Sequence, residues 1–193
     1  MATKAERPLG DEPGVEAGRH GRVAVRPARP SDARSFLELF RAVVAERRFV
    51  RTDIVRRTER EFRRRFRDTW GQDRASLVAT VDGRVVGHLG LSREEAPENR
   101  HVASLGMTVQ ADWRRQGVGS ALMAEAIRWA REKNVEKLAL SVYPDNVAAL
   151  ALYRKFGFRE EGRLSGHSKK EIGYRDEVVM GLWVSGPPPG VGT

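Results

Sequence analysis

The segment that most restricts the fold is residues 107–120, where a strand pattern leads through a basic turn directly into a helix start. Gly117 and Gly119 can adopt backbone angles that are closed to other residues. The first amides of a helix have no acceptor within the helix, and the helix dipole places partial positive charge on them. Arg114 and Arg115 add full charges nearby. The segment is therefore typical of a turn that binds phosphate groups.

Two common nucleotide-binding motifs do not fit this turn. A nucleoside triphosphate loop requires G-x-x-x-x-G-K-[ST], and the chain contains no Gly-Lys pair. A dinucleotide fingerprint requires a third glycine where Leu122 stands, and an acidic residue after the next strand, 138–143, which has none at its end. Another phosphate-bearing ligand has to be considered.

Two motifs in this chain resemble those of one family. Arg114-x-x-Gly117-x-Gly119 is similar to the Q/R-x-x-G-x-G/A turn of the GNAT superfamily, the acetyl-CoA-dependent N-acetyltransferases. Residues 146–158 resemble the second signature of that family, N-x-x-A-x-x-L-Y-x-K-x-G-F, at a suitable distance from the first. The resemblance covers roughly residues 22–184 and is strongest over 102–180.

This resemblance implies acetyl-CoA as co-substrate. The pyrophosphate is expected on the amides of residues 116–120, and the pantetheine arm beside strand residues 107–109, which splay away from strand 138–143. Asn146 can hold the arm or cap a helix, and Asp145 can also cap that helix. The cofactor-binding candidates are Met107, Thr108, Val109, Arg114, Arg115, Gln116, Gly117, Val118, Gly119, Ser120, Asn146, Ala149 and Lys155.

Tyr153 is the candidate catalytic residue. The matching tyrosine of the family faces the thioester sulfur and donates a proton or hydrogen bond to the leaving thiolate. A phenol, with a pKa of about 10, is no stronger an acid than a thiol at about 8.5, so its contribution depends on position. A core aromatic is the alternative. The implied reaction is direct attack of an amine on the thioester, with a backbone N–H near Val109 stabilising the oxyanion.

The general base is not identified by the sequence. Many members of the family carry an acid in the strand where this chain has Ser104, so a water chain or one of Glu94, Glu95, His88 and His101 can take that role.

The acceptor site is suggested by the end of the chain. Residues 173–180 resemble the closing strand of a GNAT branch that acetylates free amino acids and other small amines. Tyr174 and Asp176, together with Ser104, are therefore candidate acceptor contacts. A turn that leads into an edge strand is an alternative interpretation of the same residues.

Composition restricts the class of protein. A chain of 193 residues without cysteine can form one domain and excludes disulfides, a thiol nucleophile and a thiolate zinc site. His88 and His101 have no metal-ligand spacing, so no metal is expected. No apolar segment is long enough to span a bilayer, and a cytoplasmic protein is expected. The net charge of +9 favours anionic partners without choosing among them.

Hydrophobic periodicity predicts the order β-α-α-β-β-β-α-β-α-β-β, hence an α/β (α+β mixed) fold with a mostly antiparallel sheet, splayed at its centre, and helices on both faces. The domain is expected over 22–184, between flexible tails 1–21 and 185–193. The second helix is predicted from Ile54 to Trp70, with an inward stripe of Ile54, Thr58, Phe62 and Phe66. Its many arginines are interpreted as a solvated face. The last strand is predicted from residue 177.

The sequence therefore predicts an N-acetyltransferase that acts on a small-molecule primary amine such as a free amino acid. Acetylation of a protein N-terminus or lysine is the alternative within the class. A basic nucleic-acid-binding protein, although nucleic acid is an unlikely partner, and a non-catalytic acyl-CoA sensor are alternatives from other classes. No membrane partner is expected, and a homodimer is possible.

Overall fold

The computed structural model describes residues 14–16, 22–50, 55–171, 173–186 and 190. These residues form eight strands and four α-helices. The strands are β1 Gly14–Glu16, β2 Arg22–Pro27, β3 Arg74–Val81, β4 Arg84–Arg93, β5 Val102–Val109, β6 Lys137–Val142, β7 Arg159–Lys170 and β8 Gly173–Trp183. The helices are α1 Ala33–Ala45, α2 Glu59–Arg65, α3 Val118–Glu132 and α4 Val147–Lys155.

The strands form one sheet in the order β1-β2-β3-β4-β5-β6-β8-β7. Every neighbouring pair is antiparallel except β5 and β6, which are parallel and are paired only from Val102↔Lys137 to Ser104↔Ala139. The last five residues of β5 therefore have no partner on β6. The predicted mixed, mostly antiparallel sheet that splays at its centre is confirmed.

Two hydrophobic clusters cover opposite faces of this sheet. On one face, α1 and α2 pack through aromatic rings, and Phe36 lies against Phe62 and Phe66 with ring centroids 4.7 and 5.4 Å apart. On the other face, α3 and α4 bury Trp129 and Tyr153 against the strands. Helices therefore cover both faces of the sheet, and β3 and β4 contribute buried residues to both clusters.

The strongest local predictions are confirmed. Asp82 and Gly83 join β3 to β4 with φ angles of 47° and 78°, as a two-residue hairpin turn requires. Asn134 follows α3 with a left-handed φ of 54°, and Gly157 follows α4 with φ of 91°.

The predicted extent of the second helix is wrong. Helix α2 begins only at Glu59 because Thr58 caps it: the Thr58 hydroxyl accepts from the Glu61 N–H, and the Glu61 carboxylate accepts from the Thr58 N–H at 2.7 Å. The helix ends before Phe66, and Trp70 pairs instead with Ala75 in an isolated β-bridge. Ile54 lies outside the described residues, whereas Phe62 and Phe66 are buried as predicted.

Two further boundaries differ from the prediction. Gly14–Glu16, within the predicted N-terminal tail, forms β1 and pairs with β2. Strand β8 starts at Gly173, four residues before the predicted start, because its first part pairs with β7 in a long hairpin. Of the predicted C-terminal tail, only residues 185, 186 and 190 belong to the described part of the chain. Within the described residues, no helix combines the length and apolarity needed to cross a bilayer.

His88 joins β4 to the aromatic layer under α1 and α2. Its ring centroid lies 4.4 Å from that of Phe36 and 6.1 Å from that of Phe66, and its Nε2 lies 2.8 Å from Ser76 Oγ. Burial, and secondarily the charge of Arg65, lowers the pKa of His88 to about 3. The imidazole is therefore neutral at physiological pH.

We predict that His88 makes folding sensitive to mild acid. In the unfolded chain its pKa returns to about 6.5, so the stability that depends on the neutral ring is complete above pH 6.5 and is lost as the pH falls toward 3. Between pH 7 and pH 5, the free energy of unfolding should fall about 2 kcal/mol more in the wild type than in His88→Gln. Urea unfolding at the two pH values measures this difference.

His167→Gln, the same substitution at an exposed position of β7, is the matched control. Equal losses of stability in wild type and His88→Gln between pH 7 and pH 5 would contradict the assignment of a neutral imidazole at His88.

Candidate active site

The gap between β5 and β6 presents one edge of β5 as unpaired backbone. Gln110 N donates to Val86 O at 2.9 Å and Glu94 N donates to Val102 O at 3.0 Å, so the even-numbered positions of β5 are those that bond to β4. The N–H groups of Met107 and Val109 and the C=O groups of Leu105 and Met107 consequently point toward β6, which has already diverged. The Leu105 N–H still belongs to the last paired register, and Val109 O accepts from Arg114 Nε. Since buried backbone groups need partners, this edge is suited to an extended, peptide-like ligand.

The turn after β5 presents helix amides at the mouth of this gap. A 3-10 turn over Ala111–Trp113 is followed by left-handed angles at Arg115, with φ of 63°, and at Gly117, with φ of 83°. The main chain is thereby turned so that α3 starts at Val118. The Ala121 N–H donates to Gly117 O, whereas the N–H groups of residues 118–120 have no acceptor within the helix. These amides are suited to hold a phosphate.

Gly119 has a different reason to be glycine. It lies inside α3 without a positive φ angle, but a Cβ added to it would lie 2.9 Å from Leu152 Cδ2 and 3.4 Å from Met107 Sδ. The predicted need for unusual backbone angles is therefore correct for Gly117 and wrong for Gly119. Its missing side chain allows α4 and β5 to approach the turn closely.

Arg114 ties the turn to α1 instead of extending freely into solvent. Its Nη1 and Nη2 donate to the two carboxylate oxygens of Glu46 at 2.8 and 2.6 Å, and its Nε donates to Val109 O at 3.0 Å. This bidentate pair holds the mouth of the gap against the end of the first helix. Arg115 is exposed. The contact of both arginines with a cofactor stays a prediction.

Three buried polar atoms around the gap have no hydrogen-bond partner among the described residues. They are Thr108 Oγ1, Tyr143 Oη and Gln116 Oε1. If the parallel register of Ser104↔Ala139 were continued by four residues, Thr108 would face Tyr143 across the gap. Buried polar groups are nearly always satisfied in proteins, so these atoms mark places where a ligand or water completes the structure.

Tyr153 is on α4, on the face of the sheet that α3 covers. Its side chain is 7% exposed, and its ring centroid lies 5.7 Å from that of Phe158. Burial raises the pKa of Tyr153 to about 12, so its hydroxyl stays protonated at neutral pH and is available as a donor. The core packing that was the alternative interpretation is present, and a catalytic role is compatible with it.

The start of α4 settles which residue caps the helix. Asn146 Oδ1 accepts from Ala149 N at 3.2 Å, so Asn146 is the cap. The prediction that Asp145 can cap is wrong, because its carboxylate pairs with the Arg175 guanidinium. Ala149 is half-buried and packs against the core, and Lys155 is exposed at the last turn of α4.

The opposite face of β5, toward α1, is exposed near the closed end of the gap, where β5 and β6 stop pairing at Ser104↔Ala139. Gly106 is exposed and pairs with Gly90, and a Cβ added to Gly106 would meet no atom within 4 Å. Ser104, two residues earlier on the same face, donates from Oγ to Glu94 Oε1 at 2.6 Å. The facing glycines therefore leave the surface beside Ser104 and Glu94 free of a side chain at Gly106.

Two of the other candidate bases, Glu95 and His101, lie elsewhere. Glu95 lines a surface cavity of about 450 Å³ together with Asp68 and Arg100. His101 stacks on Trp183, with ring centroids 6.0 Å apart. Of the four candidates, Glu94 is the one that the structure places on Ser104.

Tyr174 and Asp176 make their contacts within the β7–β8 hairpin. The Tyr174 side chain is 69% exposed and lies under the Lys169 ammonium, while Asp176 accepts from Arg163 Nε at 3.0 Å and from Gly166 N at 2.8 Å. Their role as acceptor contacts stays a prediction.

Arg175, which lies between Tyr174 and Asp176, was not singled out in the sequence analysis. The Arg175 guanidinium lies 3.8 Å from the ring centroid of Tyr143, and Arg175 Nη1 donates to Arg48 O at 2.6 Å. Strand alternation was the available signal, because it puts Arg175 on the face opposite its two neighbours.

The hairpin tip also contacts the segment that follows α1. Arg47 pairs with Glu171 at 2.7 Å, and Lys170 Nζ donates to Val50 O at 2.8 Å. These contacts, together with that of Arg175 on Arg48, enclose the α1 side of the sheet near the gap. No group of three His, Asp or Glu side chains that could hold a metal ion occurs among the described residues.

Sequence comparison with curated proteins finds acetyltransferases. The chain is 39% identical over 108 residues to the L-amino acid N-acetyltransferase AaaT of Escherichia coli K12, covering 54% of this chain and 65% of that protein. It is 34% identical over 79 residues to the ribosomal protein bS18 alanine N-acetyltransferase of the same strain, covering 41% of this chain and 53% of that protein. The chain thus spans less than two thirds of the length of these relatives.

Comparison with solved structures extends over more of the chain. An acetyltransferase of the GNAT family from Streptococcus pneumoniae has a TM-score of 0.78 and 26% identity, with 83% of this chain and 98% of that chain covered. The yncA protein of Salmonella typhimurium, solved with its cofactor acetyl-CoA, has a TM-score of 0.77 and 17% identity, covering 84% and 94%. At that identity the second likeness shows the fold alone.

The match to a family model agrees with the splayed strands and the glycine turn described above. The model of the acetyltransferase (GNAT) family matches residues 40–158, more than half of the chain. This protein therefore belongs to the GNAT acetyltransferase family.

Proposed function

We propose that the chain transfers the acetyl group of acetyl-CoA to the primary amine of a small molecule, and that a free amino acid is the acceptor. The observation that carries the proposal is the unpaired edge of β5, which leads directly to the free amides at the start of α3. A peptide-like arm with a diphosphate at one end is complementary to both features.

The diphosphate is assigned to the N–H groups of residues 116–120, with Arg115 beside them. The pantetheine arm runs inward from there along β5 and pairs with Val109 and then with Met107. An arm that extends over three to four strand residues covers about 10 to 13 Å, so the thioester lies near Met107 and Leu105. The Met107 N–H, deeper than the predicted donor at Val109, is the one placed to stabilise an oxyanion.

The chemistry proposed is a direct transfer. The acceptor ammonium first loses one proton, and the nitrogen lone pair then forms a bond to the thioester carbonyl carbon. Collapse of the tetrahedral species breaks the carbon–sulfur bond, and the nitrogen loses a second proton. The sulfur takes one proton, for which Tyr153 is the donor, and solvent replenishes the tyrosine. One proton is released overall for each acetyl group transferred.

The enclosed α1 side of the sheet favours a small acceptor. The contacts of Arg175 on Arg48 and of Lys170 on Val50 lie across the side from which the acceptor must enter. A protein N-terminus requires an open cleft in that place. The relative that acts on L-amino acids supports the same acceptor class, whereas the relative that acts on a ribosomal protein keeps protein N-terminal acetylation as the second candidate.

The function is tested by measuring thiol release from acetyl-CoA. We expect release of free coenzyme A in the presence of at least one L-amino acid from a panel that also contains polyamines and peptides with an N-terminal alanine. Release with the peptides alone would favour the second candidate. Binding of acetyl-CoA without release for any amine would contradict transfer and identify a sensor.

Tyr153→Phe should lower kcat about 100-fold, the size of a lost proton donor, while the KM for acetyl-CoA changes less than about twofold. The ring and its packing on Phe158 are kept in this variant, so the fold should be retained. Steady-state kinetics with the best amine of the panel measures the two constants. An unchanged kcat would remove Tyr153 from the mechanism.

Gly119→Val should weaken binding of coenzyme A about tenfold, because the added methyl groups must push Leu152 and Met107 away from the turn. Isothermal titration calorimetry measures the affinity. Gly162→Ala is the control, since a Cβ there meets no atom within 4 Å. Equal affinities in Gly119→Val and the wild type would place the diphosphate away from this turn.

A further inference from the structure

One carboxylate lies beside the closed end of the gap, on the face of β5 opposite the α3 and α4 layer. Ser104 is the last residue of β5 in register with β6, and its Oγ donates to Glu94 Oε1 at 2.6 Å. Ala103 is fully buried against the α3 layer, so alternation places Ser104 and the bound carboxylate on the acceptor side.

The position of Glu94 is fixed by the sheet. Its backbone N–H donates to Val102 O at 3.0 Å and continues the β4–β5 ladder one residue past β4. Ser104 is a diagonal neighbour of Glu94 on the same face, within reach of a long side chain. The Glu94 side chain is half-buried.

The carboxylate is not neutralised by a basic side chain. Within the described ranges, no lysine or arginine forms an ion pair with Glu94, and the hydroxyl of Ser104 is its hydrogen-bond donor. Ser104 gives its one proton to Glu94, which leaves the lone pairs of Oγ and the second carboxylate oxygen able to accept. An ammonium group above Gly106, where no side chain stands, would donate to this pair.

We propose that Glu94, held by Ser104, is the general base that removes the proton from the acceptor ammonium. This inference rests on the proposed acetyl transfer. The proton moves from nitrogen to a carboxylate oxygen of Glu94, and the freed lone pair attacks the carbonyl carbon near Leu105 and Met107. After the carbon–sulfur bond breaks, Glu94 releases its proton to solvent. Ser104 acts as a positioning residue for the carboxylate.

The test moves the carboxylate from one partner of this hydrogen bond to the other. Glu94→Gln should lower kcat for an amino acid acceptor by about 100-fold or more, because general base catalysis is typically of that size. The double variant Glu94→Gln with Ser104→Asp restores a carboxylate at the same place. Its kcat should be at least tenfold higher than that of Glu94→Gln alone. Glu98→Gln, an exposed carboxylate in the same loop, is the control for the change in charge.

A second measurement separates proton removal from a structural role. Methoxyamine is uncharged at neutral pH and needs no deprotonation before it attacks. The factor by which Glu94→Gln lowers kcat should therefore be at least tenfold smaller with methoxyamine than with the amino acid. The rate of the reaction without enzyme is subtracted in both cases. An equal loss with both acceptors, or no rescue in the double variant, would overturn the assignment of Glu94 as the base.

The outcomes distinguish this inference from the proposed function. Release of coenzyme A by the wild type with any amine supports acetyl transfer whatever Glu94 does. Wild-type kcat in Glu94→Gln would overturn the base assignment and leave acetyl transfer standing. Calorimetry with coenzyme A, with an expected change in affinity below about twofold, shows whether the variant keeps its fold and its cofactor site.

Discussion

The candidate site depends on the point inside the sheet at which the hydrogen-bond ladder between β5 and β6 ends. After Ser104↔Ala139, β5 and β6 no longer pair, and the backbone groups beyond Leu105 that point away from β4 face a gap instead of a strand. An unsatisfied buried amide costs about 1 to 3 kcal/mol, so such a gap persists only when each strand is held from its other side and when a ligand or water completes the open edge. Each strand has a long ladder on its other side, since β5 pairs with β4 over Gly87–Arg93 and the whole of β6 pairs with β8.

Other contacts hold the gap in a form that a thioester carrier can use. The Arg114–Glu46 pair fastens the turn at the mouth to α1, and the missing side chain of Gly119 lets α4 approach from the other face. On the face of β5 toward α1, the facing glycines of β4 and β5 lie beside the hydrogen-bonded pair of Ser104 and Glu94. In the proposed reaction, the cofactor and the acceptor would reach the gap from different sides, as a direct transfer requires.

Features that depend on neighbouring residues could be predicted from the sequence. The hairpin at Asp82 and Gly83, the left-handed Gly117 and the splay between 107–109 and 138–143 follow from short motifs or from the family resemblance. The start of α2 could also have been predicted, because Thr58 and Glu61 have the spacing of a capping box. The fourfold spacing from Ile54 to Phe66 instead extended the predicted helix in both directions. Contacts between distant parts of the chain could not be predicted from the sequence. The pairs Arg114–Glu46 and Arg175–Asp145 join residues 68 and 30 positions apart, and no local pattern indicates them.

The central claim is that the amides of Met107 and Val109 receive the carrier's arm. Amide hydrogen exchange measured residue by residue, with and without coenzyme A, tests it most directly. Because Met107 and Val109 point into the gap, their amides should exchange more slowly when coenzyme A is present. The amides of Gly106 and Thr108 already donate to β4 and should change little. Slower exchange at Gly106 and Thr108 alone, or no change along β5, would contradict the account.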